Sequence, residues 1–202
     1  MSFPWYEEVT GPKDVTQGDI LKNFPVPVMI ERDEYPFFVP KGAEYDVIVM
    51  TQACDLENGK VDYVTLCPVE PLENIIKTIV EQENKDIDFT AGVSKNQQKI
   101  PGRIVEKLKK GEYLNFYLLN KHNGEISENY RVVILKQMFQ VPFVAVQKLV
   151  RAEKETRVRL LPPYREHLAQ AYANTFSRIG LPLDIKVSEK VEFTDNGEIA
   201  IR

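Results

Sequence analysis

The chain of 202 residues has few of the residues that build metal centres and disulfide frameworks. It contains two cysteines and two histidines, and none of the four lies at the paired spacing of a zinc site. No glycine-rich loop for binding phosphate occurs. We therefore expect no metal and no cofactor.

Long apolar runs and a surplus of positive charge are also missing. No run approaches the ~20 apolar residues of a membrane helix, and the N-terminal residues lack the pattern of a signal peptide. The formal net charge is −4 and the isoelectric point about 5.4, which argues against broad nucleic-acid binding. We expect a cytoplasmic protein that does not enter a membrane.

Two short apolar runs, residues 47–50 and 61–66, form the centre of the chain. Both are rich in β-branched residues and predict paired strands. Asn58-Gly59 lies between them and favours a type I′ hairpin turn. In such a hairpin Cys54 and Cys67 would lie roughly 13 Å apart. Because a disulfide needs Cα atoms closer than about 7 Å, both thiols are predicted to be free.

The rest of the chain is predicted to be one domain with a helical insertion. A β-core spans about 15–70 and 112–161, the insertion about 71–111, and a C-terminal helix with its tail about 162–202. Pro25 and Pro27 lack backbone donors, so the extended segment 20–30 is predicted to be either an edge strand or an interrupted one. The apolar periodicity predicts helices over 71–81 and 103–110, strands over 112–119, 130–135 and 157–161, and a helix over 164–179. Residues 139–150 are apolar but interrupted by Pro142, so the pattern leaves their structure open.

Three motifs, spread over most of the chain, occur in a fixed order. They are Gln17-Gly18-Asp19-Ile20, then Thr51-Gln52-Ala53-Cys54-Asp55-Leu56, and finally Pro163-Tyr164-Arg165-Glu166-His167-Leu168-Ala169-Gln170 with Arg178-Ile179-Gly180-Leu181-Pro182. The set resembles an uncharacterised family of bacterial proteins. That resemblance implies a bacterial setting and transfers no function.

A second resemblance is to the PemK/MazF-like toxin barrel, through Gly18-Asp19-Ile20, the run 47–50 and the strand end at Cys67-Pro68. It implies an α+β fold: a small, bent antiparallel SH3/PemK-like β-barrel with a helical insertion and a packed C-terminal helix. The toxins are ribonucleases that use an arginine before the central strand and a threonine or serine after the next one. This chain has Tyr45-Asp46 and Val69-Glu70 there, so the resemblance supports the barrel and not the activity.

Polar residues that leave a buried strand form the first candidate site. Thr51, Gln52 and Asp55 follow the run 47–50 and would need polar partners or a ligand. Asp55 could instead cap the local turn through a backbone amide. On the C-terminal helix, Arg165 precedes a stripe of His167, Asn174 and Arg178. Our leading hypothesis is a non-catalytic binding module that uses both groups, with a protein partner and with self-association left open.

An enzyme is the first alternative. Cys54 would be the nucleophile of a hydrolase acting on nucleic acid or an acyl substrate, with His167 as its base and Asp55 beside it. The competing interpretation, a packed Cys54 and a surface His167, is favoured because free cysteines are among the most buried residues.

RNA binding is the second alternative. The insertion carries a basic cluster, which could contact backbone phosphates. Its members are Lys95, Lys99, Arg103, Lys107, Lys109 and Lys110. The segment itself lacks interleaved aromatic residues, so a solvated helix and loop is the favoured interpretation.

Overall fold

The structure, a computed structural model, describes residues 3–11, 13–83, 99–153 and 156–177, and the backbone of 191–193 and 199–201. These residues form five helices and twelve strands, and every strand pair is antiparallel. The helices are α1 (Ala53–Glu57), α2 (Leu72–Glu83), α3 (Ile100–Lys109), α4 (Phe143–Glu153) and α5 (Tyr164–Phe176). The strands are β1 (Tyr6–Val9), β2 (Ile20–Glu31), β3 (Phe38–Val49), β4 (Tyr63–Pro71), β5 (Phe116–Leu119), β6 (His122–Asn123), β7 (Ser127–Glu128), β8 (Arg131–Ile134), β9 (Phe139–Pro142), β10 (Arg157–Leu160), β11 (Val191–Phe193) and β12 (Ile199–Ile201).

The largest sheet has the order β2-β3-β4-β8-β5, and β9 also pairs with β4. Leu66 on β4 pairs with Val49 of β3 on one side and with Phe139 of β9 on the other. β8 and β9 therefore follow one another along the same edge of β4. A separate ribbon of β1 and β10 joins β2 through a bridge between Asp19 and Arg159. Among the described residues these sheets do not close into a barrel, whereas the predicted α+β class is confirmed.

The predicted turn between the two central runs is wrong. The runs do pair, with Val49 opposite Leu66, but α1 occupies the connection in place of a two-residue turn. Leu56 of α1 is buried in the core, and the Asn58 amide closes the helix on the Cys54 carbonyl oxygen. Gly59 then takes φ of +61° just after the helix ends. Burial of Leu56 explains why a helical turn forms here.

Strand alternation divides the core into two clusters on opposite faces of the sheet. Val47 and Val49 of β3 belong to the first cluster, and Ile48 of the same strand belongs to the second. Helix α1 contributes Leu56 to the first cluster, whereas α5 contributes Leu168 to the second. The sheet therefore lies between α1 and α5.

A third cluster joins the two helices of the predicted insertion to the sheet. Ile75 and Ile79 of α2 pack with Ile104 and Leu108 of α3 against Val132 of β8. The predicted end of α3 at Gly111 is confirmed, because Gly111 has φ of +68°. The described helices are each too short or too polar to span a lipid bilayer.

Residues 139–150, which the sequence pattern left open, change from strand to helix at Pro142. β9 ends there and α4 begins at Phe143. Val146 and Val150 of α4 are buried in the first cluster with one helical turn between them. The valine-rich composition hid this helix, since β-branched residues favour strands.

The β2–β3 hairpin extends past the core as an arm. Its outer pairs run from Val26 opposite Ala43 to Glu31 opposite Phe38. Val26 is buried, but residues 29–38 are exposed. Pro25 and Pro27 lie on β2, and β2 is the last strand at one end of the sheet. The predicted edge strand is therefore confirmed.

A small ribbon of β6 and β7 folds back onto β1 through Glu8. One carboxylate oxygen of Glu8 lies 2.9 Å from Nε2 of His122 and 3.0 Å from the amide nitrogen of Ile126. The Ile126 amide, followed by His122, holds the pKa of Glu8 below its ordinary value. The ionised carboxylate thus stabilises the folded ribbon.

We expect Glu8→Gln to destabilise the protein in a pH-dependent way. Because the folded pKa of Glu8 is lowered, its stabilisation is present above the unfolded value of about 4.3 and is lost as pH falls through the folded pKa. Urea midpoints of wild type and variant should differ near neutral pH and converge below about pH 4.3. A gap that persists unchanged to low pH would contradict this. Glu57→Gln, an exposed carboxylate on α1, is the control.

Candidate functional site

The polar cluster after β3 is partly structural. The Thr51 hydroxyl oxygen accepts a 2.8 Å hydrogen bond from the Thr65 amide, which ties the end of β3 to β4. The Gln52 carbonyl oxygen accepts from the amides of Asp55 and Leu56 and starts α1. The Asp55 carboxylate accepts from no backbone amide among the described residues, so the predicted cap by Asp55 is not formed.

Cys54 lies on the surface of α1, so the packed interpretation of this residue is wrong. Its Sγ is 3.7 Å from both the Gln52 side-chain oxygen and an Asp55 carboxylate oxygen. Cys67 is buried, and burial raises the pKa of its thiol to about 12. Both cysteines are free, as predicted.

We expect iodoacetamide to modify Cys54 in the native protein roughly a hundredfold faster than Cys67, since the thiolate is the nucleophile. Mass spectrometry after timed quenching measures both rates, and Cys67→Ala isolates the Cys54 signal. Equal native rates for the two thiols would refute the assignment. Unfolding in urea should make the rates converge.

The structure does not bring Cys54 and His167 together. Leu56 and Leu168 anchor their helices to opposite faces of the sheet. In the described part of the chain no hydrogen bond joins the two side chains, and the ring of His167 instead packs edge to face with the ring of Tyr164. His167→Ala should therefore leave the alkylation rate of Cys54 unchanged.

The predicted polar stripe on α5 faces a cleft. His167, Ala171 and Asn174 lie one helical turn apart along its wall. Asn174 accepts a 2.9 Å hydrogen bond from Gln170, whereas Arg165 pairs with its neighbour Glu166 at 2.7 Å. Arg178, the last predicted member, lies outside the described residues.

The predicted basic cluster forms one exposed face of α3. Lys99 precedes the helix, and Arg103, Lys107 and Lys110 follow at helical spacing on the side away from buried Ile104 and Leu108. Lys107 lies 5.5 Å above the ring of Tyr113, and Lys109 pairs with Glu106 at 2.8 Å. Lys95 lies outside the described residues.

The cleft itself has a volume of about 880 Å³ and opens between α3 and α5. Its lining is largely aromatic and aliphatic, with lysines at one rim and amide and imidazole groups at the other. The residues that line its walls and floor include Val105, Glu106, Lys109, Lys110, Tyr113, Leu114, Phe116, Leu118, Asn120, Tyr130, His167, Ala171 and Asn174. Leu114 is 53% exposed and Tyr130 42% exposed, so apolar surface remains open in it.

Side-chain contacts hold the α5 wall in place. The buried Thr175 hydroxyl is 2.6 Å from the Leu114 carbonyl oxygen and fixes α5 to the chain before β5. Trp5 stacks on Tyr164 with ring centroids 3.7 Å apart. Burial raises the pKa of Tyr117 to about 12, so its hydroxyl stays protonated and donates to the Tyr164 carbonyl oxygen. The wall is therefore formed without a ligand.

Comparison with protein families, with curated proteins and with solved structures finds no match to this chain. We therefore infer function from the cleft and from the chemistry of its lining.

Sequence reasoning missed two buried charge networks that shape the molecule. Asp19 is fully buried and accepts hydrogen bonds from Arg157 and Arg159. Arg131 is likewise buried and pairs with Asp46 while donating to the Val69 carbonyl oxygen. The alternation Arg157-Val158-Arg159 was the one sequence signal of the network around Asp19. It places both arginines on one face of β10, where they can bind the same carboxylate.

Metal binding has no support in the described ranges, where no group of three histidine, cysteine, aspartate or glutamate side chains is arranged to hold an ion.

Proposed function

We propose that the protein is a non-catalytic binding module and that its ligand lies in the cleft between α3 and α5. One observation carries the proposal: a cleft of about 880 Å³ with open apolar surface is bordered by convergent polar groups. Ligand sites typically span about 300–1,000 Å³ and combine an apolar lining with a few polar groups. His167 and Asn174 are the members of the predicted α5 stripe that take part.

The lining indicates a protein segment as the ligand. Leu114, Phe116 and Tyr130 offer apolar surface to aromatic or aliphatic side chains. Lys109 and, after it, Lys110 lower the pKa of the neighbouring Glu106 carboxyl. Lys110 itself forms no salt bridge in the part of the chain that the structure describes, so its ammonium group is available to an acidic residue of the ligand. An acidic, aromatic peptide matches both features and fits the protein partner expected from the sequence.

The Thr51–Asp55 cluster takes no part in this cleft, because none of its residues lies in the lining. Of the two groups predicted to form the contact surface, only the one on α5 therefore belongs to the proposed site.

Selection of random peptides displayed on phage tests the proposal. Peptides rich in aromatic and acidic residues should be enriched, and fluorescence polarisation should show at least tenfold weaker binding to Leu114→Asp. Val144→Asp, an equally exposed apolar residue on α4, is the matched control and should bind as wild type does. Absence of enrichment, or equal binding by Leu114→Asp, would refute the cleft as the site.

RNA binding stays the second candidate, supported by the exposed basic face of α3. Folding places Tyr113 beside Lys107, which supplies an aromatic residue that the basic segment itself lacks. Salt-sensitive retardation of labelled RNA that Arg103→Gln and Lys107→Gln abolish would favour this function. Lys148→Gln, exposed on α4, is the control for loss of charge alone.

A hydrolase that uses Cys54 and His167 has weaker support, because the sheet separates their helices. The cytoplasmic setting remains part of our proposal, and two free thiols support it. We also propose that the fold is an open relative of the SH3/PemK-like barrel. The contact of β10 with the start of β2 supports that relation.

A further inference from the structure

We infer that the cleft binds the tip of the β2–β3 hairpin, residues 29–39, of a second copy of this chain. The inference rests on the proposed function, because it names the partner of the same cleft.

The tip exposes an unusual amount of apolar surface. Tyr35 is 85% exposed, Phe37 and Phe38 are each 57% exposed, and Met29 is 59% exposed. Single exposed apolar residues are ordinary, but a contiguous group of this kind marks an interaction surface. Three aromatic rings within four residues give the tip the character of an anchor for an apolar cleft.

The tip is also ordered before it binds. The Arg32 amide donates to the Phe37 carbonyl oxygen at 2.8 Å, and the Phe37 amide donates to the Glu34 carbonyl oxygen at 2.7 Å. The rings of Tyr35 and Phe37 meet edge to face with centroids 6.0 Å apart. Because these groups are already fixed, docking would cost little conformational entropy.

Charge complementarity identifies the cleft as the place where the tip docks. Glu31, Asp33 and Glu34 surround the aromatic residues of the tip and outnumber Arg32. The rim of the cleft carries Lys109, Lys110 and Glu106. Lys109 is salt-bridged to Glu106, and Lys110 forms no salt bridge among the described residues, which leaves the rim with a net positive charge. An acidic aromatic tip and a lysine-rimmed aromatic cleft are therefore complementary in polarity and in charge.

The topology favours docking between copies. β2 and β3 lie at one end of the strand order and β5, which floors the cleft, lies at the other. The arm reaches outward by roughly 17 Å over the five residue-to-residue steps from Val26 to Glu31. Each chain thus presents one tip and one cleft in different places, so two copies can either exchange tips about a two-fold axis or bind head to tail in rings or open chains.

Two variants that each remove one half of the interface test the inference. The tip variant carries Tyr35→Ser, Phe37→Asn and Phe38→Ser, with asparagine chosen because Phe37 has φ of +62°. The cleft variant carries Leu114→Asp, with Tyr130→Ser as a second choice if folding is impaired. Sedimentation velocity on wild type should show association beyond the 23.3 kDa monomer that weakens as salt is added.

Mixing the variants gives the decisive result. Each variant alone should sediment as a monomer, whereas an equimolar mixture should form a 1:1 complex, because the cleft of one receives the tip of the other. Val144→Asp should associate as wild type does. A wild type that stays monomeric at its highest soluble concentration, or a mixture that forms no complex, would overturn the inference. If selected peptides still bind the cleft in either case, the proposed function stands and only the second copy is excluded.

Discussion

Replacing Asp19 by asparagine is expected to lower the free energy of unfolding by about 3–5 kcal/mol, because it removes the buried counter-charge that two largely buried guanidinium groups share. Asp19 is fully buried, and the side chains of Arg157 and Arg159 are only 6% and 16% exposed. Nε of Arg157 lies 2.8 Å from one carboxylate oxygen, and Arg159 contacts both oxygens. The change keeps the size of the side chain, so the loss reports charge rather than a cavity.

The network matters beyond the ion pairs, since the arginines also hold the chain that precedes β2. Arg157 donates to the Lys13 carbonyl oxygen at 2.9 Å, and Arg159 donates to that of Asp14 at 3.0 Å. The Thr16 amide donates to the Asp19 carboxylate itself. Asp19→Asn should therefore loosen this loop, and amide hydrogen exchange should rise there before it rises in β4.

Thermal and urea unfolding measure the effect. For a chain of this size, a loss of about 3–5 kcal/mol corresponds to a fall in Tm of roughly 6–20 °C. Glu7→Gln is the control, because Glu7 also contacts Arg159, at 3.3 Å, but is 47% exposed. It should cost no more than about 1 kcal/mol. Equal losses for the two variants would show that burial does not set the strength of this network.

The pairing of β3 with β4 could be predicted, because two neighbouring apolar runs rich in β-branched residues are best buried as paired strands of the core. The register could not, since it depends on the connection, and residues 53–57 form a helix that buries Leu56. Asn58-Gly59 is a good turn signal because glycine accepts a positive φ, but this property does not distinguish a hairpin turn from the end of a helix. Gly59 takes a positive φ either in a hairpin turn or after a helix, and here it follows a helix.

The cleft was harder to predict than the fold, because its lining comes from distant parts of the chain. His167, Asn174 and Lys110 were predicted as candidate residues, each for its own local pattern, and folding places all three around one cleft. The open apolar surface at Leu114 and Tyr130 carries no sequence signal, since an exposed and a buried leucine read alike in a pattern. Burial misled the prediction for Cys54 for the same reason: the average cysteine is buried, and this one is not.

Gly18→Ala is expected to destabilise the protein by about 2–5 kcal/mol, since two separate costs add at one position. Gly18 has φ of +87°, a conformation that costs a residue with a side chain about 1–2 kcal/mol. A Cβ there would also lie 2.9 Å from the Leu160 backbone oxygen, and backbone cannot move aside as a flexible side chain can. Relieving such an overlap costs about 1–3 kcal/mol.

The close approach at Gly18 is what joins the β1–β10 ribbon to the main sheet. The Gly18 amide donates to the Val49 carbonyl oxygen, and the Leu160 amide donates to that of Gly18, both at 2.9 Å. Gly59→Ala is the matched control, because Gly59 has φ of +61° with open space around it and would incur the conformational cost alone. Urea unfolding should therefore give Gly18→Ala a clearly lower free energy of unfolding than Gly59→Ala. Gly42→Ala, where neither constraint applies, should be nearly as stable as wild type. If Gly18→Ala and Gly59→Ala were equally stable, the contact with Leu160 would have no energetic role, and the ribbon would be held by the Asp19 network instead.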